Sequence, residues 1–327
     1  MRDSRVRLRR RSVLALALGL PAAPAMAQPW SPPRSVRIIV PYSPGGGADT
    51  TARLLAGPFA TFLGQPVVVE NRPDAASTIG AGDVACAAPD GTTLLLDSAG
   101  HTMAPALIRN LPFDYAKAFT PISQVVVLPQ VVVVRGDSPH RDLASLLAGA
   151  RAAPGRLTYA SSGNGGAQHV TAVLLLRRAV VEMTHVAYRG GSPAMAALLA
   201  SDVDCAVATI TSALALVRDG RVRALAATGA ARIASLPEVP TVAGQGFPGY
   251  DQNEWNGVLA PAGLPAAAAA RLQAGCVQAL ADAVVRQRLE ALGAVPLGTS
   301  SAEFSGFLAR DRTAMAALVR EAGITAD

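Results

Sequence analysis

The stretch Ile38-Ile39-Val40-Pro41-Tyr42-Ser43-Pro44-Gly45-Gly46-Gly47-Ala48-Asp49-Thr50-Thr51-Ala52-Arg53 decides how the rest of the chain reads. An apolar run enters three consecutive glycines. An Asp then opens a helical pattern of Leu54, Leu55, Phe59 and Phe62 that stops at Gly64. Gly45, Gly46 and Gly47 reach backbone angles closed to other residues, so their N–H groups can turn inward beside the free amides of a helix start. Such a start carries roughly half a positive charge and suits a carboxylate or phosphate. Asp49 or Thr50 is the expected N-cap. Glycine also suits any strand-to-helix turn, so this segment by itself leaves an anion site and a plain turn both open.

Outward from it, Val36–Val40, Val67–Glu70 and Thr93–Leu96 read as strands separated by helices, the pattern of a parallel sheet covered on both faces. The third strand ends in Asp97-Ser98-Ala99-Gly100-His101-Thr102. Ligands of open α/β sheets sit at the carboxyl ends of strands, so this loop is expected to line the same crevice as the first. The long apolar segment Val125–Val134 suits a strand that carries the chain into a second domain. Beyond Arg141 the alternation restarts, and Ser161-Ser162-Gly163-Asn164-Gly165-Gly166-Ala167-Gln168-His169 repeats the opening device between a strand and a helix. Tyr188-Arg189-Gly190-Gly191-Ser192-Pro193 ends a further strand, and Val222–Thr228 can return the chain to the first domain. Two glycine-rich, hydroxyl-bearing turns, one in each half, can offer backbone donors to one anion from opposite walls of a cleft.

The chain has 327 residues and a formal net charge of +6, but most of that charge sits at its start. Met1–Arg11 holds six arginines and one aspartate, Val13–Pro24 is a short apolar run, and Ala25-Met26-Ala27 offers small residues to a signal peptidase. Residues 1–27 are therefore expected to be a secretory signal peptide cleaved after Ala27, with the general and twin-arginine routes both open. The remainder carries a charge of about +1 without a basic run, which excludes a nucleic-acid binder. No later segment approaches the ~20 apolar residues of a membrane span. The mature chain is expected to be periplasmic, uninserted in the membrane and monomeric. Cys86, Cys205 and Cys276 are far apart among apolar residues and read as buried thiols, not as a disulfide framework.

Gly80-Ala81-Gly82 loosely matches a dinucleotide pattern but does not follow the first strand, and no glycine run precedes Lys-Ser or Lys-Thr. The histidines at 101, 140, 169 and 185 lack metal spacing, so neither a metal nor a cofactor is expected. There is no Gly-x-Ser-x-Gly. An exported serine hydrolase using Ser162 with His169 as base is the alternative from another class. His169 lies seven residues on, in the first turns of a helix, and suits a ligand hydrogen bond or a core contact better. A solute receptor, not an enzyme, is the expected function; an orphan sensory receptor without a permease is a further alternative.

The runs Val40–Asp49, Val69–Pro73, Thr78–Gly80, Ala88–Gly91, Phe119–Ser123, Leu157–Gly165, Thr184–Val186, Pro237–Val242 and Trp255–Gly257 together resemble the Bug family, the substrate-binding receptors of tripartite tricarboxylate transporters. The resemblance covers essentially the whole mature chain. It implies an α/β, two-domain fold of the type II periplasmic-binding-protein kind, each domain a mostly parallel sheet flanked by helices, joined by crossing strands. Domain 1 would comprise residues 28–119 plus 228–327, and domain 2 residues 120–227. A small carboxylate would be held by the loops Tyr42–Asp49 and Ser161–Gly165, with Ser98–Thr102 and Tyr188–Ser192 shaping the pocket and a membrane permease as partner. The ligand-binding residues so implied are Tyr42, Ser43, Gly45, Gly46, Gly47, Asp49, Ser98, His101, Ser161, Ser162, Gly163, Asn164, Gly165, His169, Tyr188, Gly190 and Thr209. Val207-Ala208-Thr209 stands where many relatives carry Phe-Asp-Asn, and the missing Asp argues for a carboxylate without an amine.

Overall fold

A computed structural model describes residues 30–73 and 77–322, so the expected signal peptide lies outside the described residues. β1 (Val36–Val40), β2 (Val67–Asn71) and β3 (Thr93–Asp97) pair in parallel, with β1 central. β1 and β3 are apolar on both faces because α1 (Gly47–Leu63) covers one side and α2 (Thr78–Ala85) the other. The next neighbour of β3 is β9 (Asn253–Pro261), which runs antiparallel and separates it from β4 (Phe119–Arg135). Short β10 (Val295–Pro296) also pairs with β4.

β4 is the member that joins the two halves. Its residues 119–129 pair with β9, while residues 130–135 pair with β7 (Cys205–Thr209) and β8 (Val222–Ala227). The second lobe continues through parallel β5 (Thr158–Ser161) and β6 (Thr184–Ala187). Around it lie α4 (Leu143–Ala152), α5 (Ala167–Ala179), α6 (Gly191–Ala200) and α7 (Ile210–Arg218). The chain returns beside β4, where the Gln130 carbonyl takes the Thr228 N–H and the Thr228 carbonyl takes the Gln252 N–H. Ile233, Leu236, Val239, Val242 and Tyr250 pack in the second lobe's cores, on the far side of the boundary expected at 228. α8 (Ala266–Ala281), α9 (Ala283–Ala291) and α10 (Ser301–Ala322) close the first lobe.

Three local expectations are corrected. The N-cap of α1 is Gly46, not Asp49 or Thr50, because the glycines let the helix begin at Gly47. The segment after β3 is not a loop: α3 (Gly100–Leu107) winds from Gly100 and carries His101 and Thr102 on its buried side. Cys205 and Cys276 are buried, whereas Cys86 is exposed at the end of the short helix α2.

Candidate functional site

The first glycine turn and the second have the same construction. Gly46 caps α1 with φ −77° and ψ 174°, and Gly166 caps α5 with φ −74° and ψ 167°. The residue before each cap, Gly45 or Gly165, is left-handed at φ +79° or +69°. The third helical residue then reaches back: Asp49 Oδ2 accepts the Gly45 N–H at 2.9 Å, and His169 Nδ1 accepts the Gly165 N–H at 3.0 Å. This is the reciprocal half of a capping box, extended to the residue preceding the cap. Gly47, Ala48, Ala167 and Gln168 keep amides without an acceptor among the described residues, as the first turn of a helix requires.

Each back-reaching side chain is fixed from behind. Burial pushes the Asp49 carboxyl up, but the Arg53 guanidinium, the Gly45 N–H and the Asn71 amide outweigh it and hold it below the usual carboxylate range. His169 stacks on His185 with ring centroids 3.9 Å apart, and His185 Nε2 lies 2.7 Å from Ser161 Oγ. Burial, with His185 adding, lowers His169 to about 3, and burial lowers His185 to about 4. Both rings are neutral near pH 7, which leaves His169 Nδ1 free to accept.

Tyr42 forms the floor between the turns. Its hydroxyl donates to Asp97 Oδ1 at 2.9 Å and accepts from Ser98 Oγ at 2.9 Å, and His101 Nδ1 meets Asp97 Oδ2 at 3.2 Å. Burial, then the Asp97 charge, raises the Tyr42 phenol well above its usual value, so it stays protonated.

Ten of the expected residues line the cleft: Tyr42, Ser43, Gly46, Gly47, Ser162, Gly163, Asn164, Gly165, Gly190 and Thr209. Gly45, Asp49, Ser98, His101, Ser161 and His169 stand behind that lining and hold it in place, while Tyr188 packs against the second lobe's core. Gln168 and Glu254 were not among the expected residues, and Arg189 was expected only as part of the pocket-shaping loop Tyr188–Ser192. Gln168 Nε2 donates to Glu254 Oε2, and Ser162 Oγ donates to Gln168 Oε1, so one amide ties the second turn to β9 of the other lobe. The walls also meet where Ser43 Oγ donates to the Arg189 carbonyl. Glu254 shares its strand with the polar Asn253 and Asn256, so nothing in the sequence singled it out for this bridge.

Residues 51–324 match the family described as tripartite tricarboxylate transporter family receptor. The chain belongs to this family. The receptor is 39% identical over 288 residues to a UPF0065 protein from the tcbD-tcbE intergenic region of Pseudomonas sp. strain P51, covering 87% of this chain and 86% of that one. Among solved structures, it matches the periplasmic binding protein BugD at a TM-score of 0.85 with 32% identity, covering 90% of this chain and 99% of the other. MatC from Rhodopseudomonas palustris with bound malate matches at 0.83 and 33% over 88% of this chain and 99% of its own. An R. palustris protein with adipate matches at 0.86 and 30% over 90% and 99%. The two-lobed periplasmic-binding-protein fold expected from the resemblance is therefore the fold of this chain.

The receptor is a solute-binding protein, and its family and structural neighbours are substrate-binding proteins, not enzymes. The site geometry accords with this. Ser162 Oγ bonds to Gln168, and His169 Nδ1 is occupied by the Gly165 N–H, so the expected alternative of a Ser162–His169 nucleophile and base does not assemble among the described residues. Among the described residues no helix is long and apolar enough to cross a membrane.

Proposed function

We propose that the receptor captures a small dicarboxylate in the cleft between its lobes, in the periplasm, and hands it to a membrane permease of the tripartite tricarboxylate type. The observation that carries this reading is the convergence of helix starts on one space. Gly47 and Ala48 of α1, Gln168 of α5, Gly190 and Gly191 at α6, and Thr209 capping α7 all line the same part of the cleft. Several helix N-termini aimed at one point favour an anion there.

Arg189 supports a second acidic group. It is exposed and lines the cleft beside Tyr42 and Gly163–Gly166, and its guanidinium makes no ion pair among the described residues. A carboxylate at the helix starts and another at Arg189 would match malate or adipate, the ligands of two structural neighbours. Capture follows by hinge closure, with β4 and the strands returning through Thr228 and Gln252 as the crossing segments.

Calorimetric titration of the mature protein with malate, adipate, tricarboxylates, aromatic acids and amino acids tests the reading. Binding of a dicarboxylate with a matching rise in melting temperature is expected, since a ligand that prefers the fold stabilises it. Failure of every carboxylate to bind would remove the basis of the proposal. Transport of the bound acid in vesicles carrying a permease of this type tests the partner.

A further inference from the structure

Glu254 is 8% exposed and lines the part of the cleft where the helix starts converge. Its hydrogen-bonding partners are the neutral Gln168 amide and the Ser98 hydroxyl, and no cation pairs with it among the described residues. A second carboxylate brought to the same helix starts would face this buried one. Two carboxyl groups in such a site do not both stay ionised; one takes a proton.

We infer that Glu254 makes ligand capture proton-linked: a carboxylate entering the cleft binds with uptake of a proton that Glu254 and the ligand share as an O–H···O bond. The inference rests on the dicarboxylate reading above and adds a specific residue and a regulation to it. The proton comes from solvent, so no bond other than that O–H forms and no other group changes charge.

The surroundings leave Glu254 as the group that responds. The Tyr42 phenol is raised out of range, and Asp97 on β3 is held by the Tyr42 hydroxyl, the Ser98 N–H and His101. On α5, His169 titrates only at about 3. Asp49 on α1 is paired with Arg53, and Asp83 on α2 with Arg72. β4 presents Leu128 opposite Glu254, and α10 packs through Trp255 on the alternate face of β9. Arg189 is exposed and lines the adjoining part of the cleft, not the part lined by Glu254. Burial, opposed by Gln168 and Ser98, already raises the free Glu254 carboxyl to about 7, where added negative charge has the largest effect.

The test is titration of the mature protein with malate and adipate between about pH 6 and 8.5, with proton uptake read by a pH electrode in weakly buffered solution. Uptake approaching about one proton per ligand is expected above neutrality, with affinity falling roughly tenfold per pH unit there. Glu254→Gln, whose amide donates like a carboxylic acid, is expected to bind with affinity independent of pH and without proton uptake. An infrared difference spectrum of the unaltered protein, gaining a carboxylic-acid band on ligand addition, checks the same point without a variant. Binding without uptake, or uptake unchanged in Glu254→Gln, overturns the inference and leaves the receptor reading intact. Loss of binding in folded Glu254→Gln with affinity rising with pH in the parent would instead mean that an ionised Glu254 accepts a donor from the ligand, and would overturn it too. If neither dicarboxylate binds at any pH, the dicarboxylate reading falls and this inference with it.

Discussion

Asp49 Oδ2 accepts the N–H of Gly45 at 2.9 Å, and so a carboxylate beside the first glycine turn serves the fold. Arg53 and Asn71 close around the same group, so its charge is balanced before any ligand arrives. In the second turn His169 does the same work for Gly165 as a neutral ring. The pair of turns therefore presents free helix amides without presenting a charge of its own.

Asp49→Ala leaves the Gly45 N–H without its acceptor and the Arg53 side chain without its partner. A loss of about 1–3 kcal/mol is expected from urea denaturation, in the range for a buried hydrogen-bonded charge. The sign with pH is fixed by the lowered carboxyl. Its contribution is present above the ordinary carboxylate range and disappears as pH falls through the folded value. Parent and Asp49→Asn should thus converge in stability under acid conditions.

The stacked histidines make the second lobe acid-sensitive at a different pH. Their folded values, about 3 for His169 and about 4 for His185, lie below the ordinary one, so the unfolded chain takes up protons first. Stability is expected to fall as pH drops below ~6.5, each histidine contributing at most about 1.4 kcal/mol per unit. Melting curves from pH 7 to about 4.5 should show this fall, and His185→Gln should flatten it; identical curves would contradict the assignment.

Gly165 and Gly46 separate the demands of folding from those of binding. A Cβ on Gly165 would stand 2.0 Å from Leu107 Cδ1 at φ +69°, whereas one on Gly46 would meet only the Ser43 carbonyl at 3.5 Å. Gly165→Ala is expected to lower stability by roughly 1–3 kcal/mol, part of it recovered by Leu107→Ala. Gly46→Ala should melt like the parent. Gly46→Val and Asn164→Ala are expected to weaken dicarboxylate binding in folded proteins, and calorimetry showing unchanged affinity in both would refute the two-turn clamp.

Arg189→Ala tests the second acidic group. Affinity for malate or adipate should drop by about tenfold, near 1.4 kcal/mol, while a monocarboxylate that binds only the helix starts should be unaffected. An equal loss for both ligand types would place Arg189 outside the binding event.

Alternating apolar runs and the two glycine turns were enough to place most strands and to put the two glycine turns at strand ends, because period and turn chemistry are local. Helix α3 escaped this reading: Gly100-His101-Thr102 looks like a turn, and its helix is held by burial of Met103 and Ala104 and by the Thr102–Asp311 bond to α10, a contact 209 residues away. Cys86 was misplaced for a related reason, since apolar neighbours do not say which side of a short helix faces water.

By itself, then, the sequence determined the α/β alternation, the paired helix starts and the family. These depend on residues close together in the chain, whose backbone needs are set by their own chemistry. Only the tertiary structure decided which residues face the cleft. It put Asp49 and His169 behind the turns, and it brought Gln168 against Glu254 across 86 residues of chain. The reason is that β9 inserts antiparallel between β3 and β4, which carries Glu254 to a surface no local pattern in Asn253–Pro261 announces.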